Sequence, residues 1–148
     1  METTLKVQKI KDGTVIDHIA GGQAWDVVKI LGLEEYPDTV MVLSNIHSKK
    51  LGKKDIIKVE NKALGKDGVN RVSLLSPSAS VNIIKNFEVK EKFNVKVTDD
   101  VIGLLKCTNP ACVTHEEPIT TKFVVESRDP LTLRCVYCER LQSSLVFE

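Results

Sequence analysis

The 148-residue sequence predicts an α+β fold in two domains: a ferredoxin-like antiparallel sheet with two helices on one face over residues 1–99, then a small all-β domain over residues 100–148. Three observations predict it. Strand-like and helix-like apolar patterns alternate through the first hundred residues, the remainder carries only short strand candidates, and all four cysteines fall after residue 106. Fewer than 50 residues bury only a marginal core, so the second domain needs a staple.

In order, Leu5 to Ile10 alternates apolar and polar residues with period two, a strand signal. Lys11-Asp12-Gly13 is a turn, and Thr14 to Ile16 resumes an extended run. Gly21-Gly22 breaks the chain; Trp25, Val28 and Leu31 then recur at helical spacing, with Val27 and Ile30 beside them and Gly32 as the stop. Val40 to Leu43 reads as a buried strand from its β-branched content, Ser48 to Lys54 as a polar loop, and Ile56 to Val59 as the returning strand. Val69, Val72 and Leu75 mark a second helix, ended by Pro77. Val81 to Ile84 and Phe87 to Val89 are late strands, which gives the order β–α–β–β–α–β. Val101 to Leu105, Phe123 to Val125, Leu131 to Leu133 and Leu145 to Phe147 are the strand candidates of the second domain.

The staple is legible in the cysteines. Cys107-x-x-x-x-Cys112 and Cys135-x-x-Cys138 each follow a strand candidate, where a turn would present both sulfurs of a pair. Two such pairs set four thiolates tetrahedrally around one Zn²⁺, and ligation supplies the folding free energy that a tiny core lacks. A closed four-sulfur site has no open position for water, so the expected ion, one per chain, is structural. This makes the second half a zinc domain. His115 lies near the first pair and is read as a surface or supporting residue, since four cysteines suffice. The alternative, two disulfides or plain buried thiols, fits a reducing compartment poorly.

Composition bounds the function. Apolar residues make up 42% and charged residues 28%, and no apolar run could span a bilayer. The N-terminal residues lack an apolar signal core, so the expectation is a cytoplasmic protein without membrane contact. The net charge of +1 is evenly spread: residues 1–100 hold 16 basic and 14 acidic residues, residues 101–148 hold 5 and 6. That balance, with only four Phe, two Tyr and one Trp, argues against a zinc-ribbon nucleic-acid binder.

The first domain carries the remaining polar chemistry. Asp17-His18 ends an extended run, but no Ser or Cys nucleophile accompanies it in a recognisable motif, which speaks against an enzyme. Gly21-Gly22 could offer amides to an anion, yet no phosphate-binding fingerprint surrounds it, and a bend is the simpler reading. Lys58 and Lys92 sit among apolar neighbours in or at the end of strands, where an ammonium can reach a phosphate, although spacing alone makes them edge or surface lysines.

Three segments in order, Gly13 to Ile19, Gly52 to Asn61 with Ser78 to Ile84, and Cys107 to Cys112 with Cys135 to Cys138, give the chain a specific resemblance, over essentially its whole length, to the regulatory chains of aspartate carbamoyltransferase, an enzyme of pyrimidine biosynthesis. The resemblance implies a non-catalytic subunit. Its first domain would bind the allosteric effectors CTP and ATP, and its zinc domain would dock on the catalytic chain. Regulatory homodimers would join catalytic trimers into a hetero-dodecamer, three dimers to two trimers. The matching effector-site positions are Ile10, Val15, Asp17, His18, Ile56, Lys58, Asn82, Ile84, Phe87, Val89 and Lys92. By the resemblance, Lys92 and His18 face the triphosphate, Asp17 and Lys58 hold the ribose and nearby oxygens, and backbone around Ile10, Ile84 and Phe87 reads the base. Phe87 stands where the family often has tyrosine, and Lys9 where a small residue is usual.

Overall fold

A computed structural model describes residues 9–148. The chain forms two compact units that divide between Lys96 and Val97. Among the described residues no helix is long and apolar enough to cross a membrane.

The first unit is a five-stranded antiparallel sheet with two helices. Its elements are β1 (Gly13–Ala20), α1 (Ala24–Ile30), β2 (Val40–Ser48), β3 (Gly52–Glu60), α2 (Lys66–Leu75), β4 (Ser80–Lys85) and β5 (Glu88–Asn94). The spatial order is β2-β3-β1-β4-β5. The first four strands are the ferredoxin-like arrangement, with β1 and β2 parallel and β3 paired antiparallel between them; β5 extends it as a hairpin on β4. Both helices cover one face. Ala24 and Val27 of α1 and Val72 of α2 pack with Ile16, Ile57 and Val81 of the sheet in one buried cluster. Thr14 also faces inward, 1% exposed; its hydroxyl accepts the Leu64 N–H and donates to the Lys62 carbonyl, which satisfies it and ties down the approach to α2.

Several local expectations change. The strand expected over Leu5 to Ile10 lies outside the described residues apart from Lys9 and Ile10, which belong to no strand. Trp25 is off the core stripe of α1 and 57% exposed: the stripe is Ala24, Val27, Val28 and Leu31, and a helix advances about 100° per residue, which carries Trp25 round to solvent. Val40 to Leu43 is half-buried because β2 is an edge strand. The polar loop from Ser48 to Lys54 shrinks to a tight turn, with β3 already running from Gly52. Gly13 opens β1 at φ +145° with Val59 O only 2.0 Å from where a Cβ would stand, so no other residue fits there.

Three bulges shape the sheet. In β1 the register slips between Ile16 and Ile19, and His18 takes a left-handed φ of 57°. The extra residue lets Ile16 and Ile19, three apart, both reach the core at 0% exposure, and displaces Asp17-His18. In β2 the slip falls between Leu43 and Ile46, where Asn45 has φ 60°. In the β4–β5 hairpin it falls between Ile83 and Ile84, leaving Lys90 as the extra residue of β5.

Asp55 ties the β2 bulge to the start of α1. It is 0% exposed, and its carboxylate accepts the N–H groups of Gly22 and Ala24 at 2.9 Å and of Asn45 at 2.8 Å. The amides after Gly21 that looked free to bind an anion are occupied by this internal one.

The second unit is a four-stranded antiparallel sheet in the order β6 (Asp100–Ile102), β7 (Lys122–Arg128), β8 (Leu131–Cys135), β9 (Leu141–Gln142). Its interior is Val101, Leu104, Leu105, Phe123 and Leu133 with three of the cysteines. β6 ends early because Gly103, φ 71°, turns the chain. Leu145 to Phe147 makes one bridge, Phe147 to Leu105, and the fourth strand forms instead at Leu141–Gln142.

Candidate functional site: a sulfur cluster and the bare face of the sheet

The four cysteine sulfurs converge, all within 4.8 Å of one another. Cys107 and Cys138 are 3.6 Å apart, Cys112 and Cys135 3.8 Å. Four sulfurs at about 2.3 Å from one ion occupy a tetrahedron with edges of about 3.8 Å, so these separations suit a single metal. All four thiols are free, with none paired in a disulfide.

Each pair sits on a knuckle that aims backbone N–H groups at sulfur. The first is shaped by Asn109, whose side chain accepts the Ala111 N–H and whose carbonyl accepts the Cys112 N–H. The second closes where Glu139, φ 62°, donates to Cys135 O and Cys135 N–H donates to Arg140 O. The N–H two residues on points back at the sulfur in three cases: Asn109 to Cys107, Tyr137 to Cys135, Arg140 to Cys138. Thr114 adds a hydroxyl on Cys112 Sγ at 3.2 Å. His115 stays out of the cluster and meets the Cys107 carbonyl through Nε2 at 2.8 Å, which braces the first knuckle.

The protons of the metal-free cluster divide unequally. Burial pushes the Cys107 thiol up to about 12 and raises Cys135. Burial works the same way on Cys138, but the Arg140 N–H, the Asn109 side chain and the neighbouring thiols outweigh it and bring Cys138 down to about 6. One thiolate is held by its protonated neighbours, and a divalent ion would replace those protons.

The second constellation lies on the sheet face opposite the helices. Across antiparallel strands, directly paired residues share a face. Lys58 pairs with Val15, Val15 with Asn82, and Asn82 with Lys92, so these four form one row across β3, β1, β4 and β5. Ile56 and Ile84 lie on the same face by two-residue alternation. Val89, three residues from Lys92, would fall on the other face of a regular strand; the bulge at Lys90 pairs it with Ile84 and brings it round. Asn82 is 9% exposed and its amide donates to Val15 O at 3.3 Å.

Asp17 and His18 follow Val15 along β1 and so flank the row on one side. The Asp17 carboxylate accepts the His18 N–H at 2.6 Å, lies 3.7 Å from His18 Nδ1 and pairs with Lys54 Nζ at 3.0 Å. Ile10 and Phe87 lie on the opposite flank, beyond the Gly13–Ile84 pair, where Phe87 N–H donates to Lys11 O at 2.9 Å. Ile10 is buried at 3%, while Phe87, at a left-handed φ of 67°, is 58% exposed. Lys9 is exposed. Beside the row a cavity of about 540 Å³ is lined by Leu43, Asn45, His47, Ile56 and Lys58.

Two residues of this region were passed over in the sequence, and both carried a signal. Lys54 shares the two-residue period of Ile56 and Lys58 and so belongs to their face; its side chain is 17% exposed rather than a solvated loop lysine. Asp55 shares the period of Ile57 and Val59, and a carboxylate at a core position demands internal donors.

Comparison with known proteins decides the family. The allosteric-domain model of the aspartate carbamoyltransferase regulatory chain matches residues 5–96, and the metal-binding-domain model matches residues 99–146. The chain belongs to the aspartate carbamoyltransferase regulatory chain family. It is 53% identical to the regulatory chain of Thermococcus onnurineus over 92% of this chain and 91% of that one. The Thermococcus kodakarensis chain is 51% identical over 95% and 93%, and that of Methanocaldococcus jannaschii 47% over 97% and 96%. As a regulatory rather than catalytic chain of aspartate carbamoyltransferase, it comprises an allosteric and a metal-binding domain, and the sulfur cluster falls in the second.

Proposed function

We propose that this chain is the regulatory subunit that couples nucleotide binding on the bare sheet face to the catalytic chain of aspartate carbamoyltransferase, an enzyme of pyrimidine biosynthesis. The observation that carries the reading is the row Lys58–Val15–Asn82–Lys92 with Lys54, Asp17 and His18 along one side of it. Three ammonium groups and an imidazole around a half-buried apolar floor suit a molecule with a polyphosphate tail and a flat ring. The effectors are CTP and ATP. Lys92 and His18 face the triphosphate with Lys54; Asp17 and Lys58 hold the ribose and nearby oxygens; backbone near Ile10, Ile84 and Phe87 meets the base. Ribose and phosphates dominate binding, so pyrimidine and purine effectors share the site. The base then favours one or other quaternary state through differential affinity.

The metal is one structural Zn²⁺ per chain, held by Cys107, Cys112, Cys135 and Cys138 with no position left for water. Four thiolates also suit iron, and colour separates the two: a zinc protein is colourless in the visible. The metal domain docks on the catalytic chain. Regulatory chains pair as homodimers, three of which join two catalytic trimers. The contrast between sheet edges supports self-association at β2: β5 presents Glu88, Lys90, Glu91 and Lys92, which blunt an edge, while β2 presents half-buried Met41, Val42 and Leu43.

Calorimetric titration of the metal-loaded chain with CTP and with ATP tests the reading. Saturable binding that weakens in Lys58→Ala and Lys92→Ala, with metal content unchanged, is expected. Absence of any saturable heat with both nucleotides sinks it.

A further inference from the structure

The loop that carries Cys107 is fastened by a side chain outside both cysteine pairs. Gln142, on β9, is 7% exposed. Its Oε1 accepts the Thr108 N–H at 3.0 Å and the Thr108 hydroxyl at 3.2 Å, and its Nε2 donates to Lys106 O at 3.3 Å and Ser144 O at 3.1 Å. Both lone pairs and both protons of the carboxamide are used. Lys106 and Thr108 are the two neighbours of Cys107. β9 pairs with β8 through Leu133–Gln142 and Arg134–Leu141, and β8 ends in Cys135. One buried side chain therefore spans from the hairpin that delivers the second cysteine pair to both sides of the first ligand.

We propose that Gln142 is a positioning residue of the metal centre. By holding the Lys106 carbonyl and the Thr108 N–H, it sets the backbone on either side of Cys107 and so the distance of that sulfur from the Cys135–Cys138 knuckle. A carboxamide does this without adding charge beside four thiolates, where a carboxylate would repel them and an ammonium would compete with the ion. Loss of the ion requires one arm of the cluster to swing away, and the Cys107 arm cannot swing until these hydrogen bonds break. The proposal rests on the metal-site reading.

The test uses the full chain loaded with zinc, and separately with cobalt. Zinc content is measured first, then the rate of zinc transfer to a chromophoric chelator, then the thiolate-to-cobalt and ligand-field absorption. Gln142→Met keeps the volume and removes all four hydrogen bonds; it should load fully, release zinc about ten- to one-hundredfold faster and shift the cobalt bands. Gln142→Glu keeps the acceptor for Thr108 and should fall between wild type and methionine. A methionine variant with the wild-type rate and cobalt spectrum overturns the proposal. So does one that loses the same stability with and without metal, because the role is then purely structural. If Gln142→Met does not fold, Gln142→Glu decides: a wild-type rate and spectrum refute the proposal, and a faster rate with shifted bands supports it. A wild-type chain that takes up no metal sinks the metal-site reading itself, a different outcome from unchanged rates at full loading.

Discussion

The two units solve the same folding problem with opposite materials. The first buries a continuous apolar layer between helices and sheet, centred on Ile16, Ile19, Val27, Ile57, Val72 and Val81, and leaves its polar chemistry on the uncovered face. The second has too few residues for such a layer, and three of the side chains filling its interior are cysteines of the sulfur cluster. Where the core is large, a site is an addition to a fold that stands without it. Where the core is small, the site is the core.

Removing the metal tests that contrast most severely. Chelation should unfold the second unit while the first keeps its structure, because ligation free energy is folding free energy there. Far-ultraviolet circular dichroism should fall only in part, and the emission of Trp25, the one tryptophan and a residue of α1, should hold. Metal affinity should also drop as the pH falls. The Cys107 thiol, pushed up to about 12 without metal, is protonated at neutral pH, so binding releases protons and acid opposes it. Competition titrations at two pH values give the sign.

The mirror experiment strikes the first unit. Asp55→Ala strips the partner from three N–H groups on β2 and at the start of α1, at about 1–3 kcal/mol each, so a loss of at least about 3 kcal/mol is expected. Denaturant titration followed by Trp25 should show it, with metal content unaffected. Lys58→Ala and Lys92→Ala act on a face rather than a core: each should weaken nucleotide binding about tenfold and leave the denaturation midpoint nearly unchanged, by calorimetry and the same titration. The smallest effect belongs to His115→Ala, which removes one brace on the Cys107 carbonyl; metal content should stay at the wild-type level, with a stability loss of about 1 kcal/mol.

The parts legible in the sequence are those whose chemistry is local. Cysteine pairs close in the chain must share a knuckle, so their role followed from spacing. Trp25 misled, since a large apolar residue beside the stripe of a seven-residue helix looks like part of it. Gln142 gave no local sign, because its four partners lie on Lys106, Thr108 and Ser144 and depend on how β9 pairs.

By itself the sequence determined the alternating elements of the first unit, the two-residue periods that sort each strand into a core face and a bare face, and the spacing of the four cysteines whose sulfurs converge. The tertiary structure decided the bulges. Whether Ile16 and Ile19 share a face, and whether Val89 joins Lys92, depends on one extra residue measured against a partner strand, and a period counted along a single chain cannot register it. It also decided what answers Asp55. A buried carboxylate announces in sequence that it needs donors, but Gly22, Ala24 and Asn45 become those donors only when β3 closes against the β2 bulge and the start of α1.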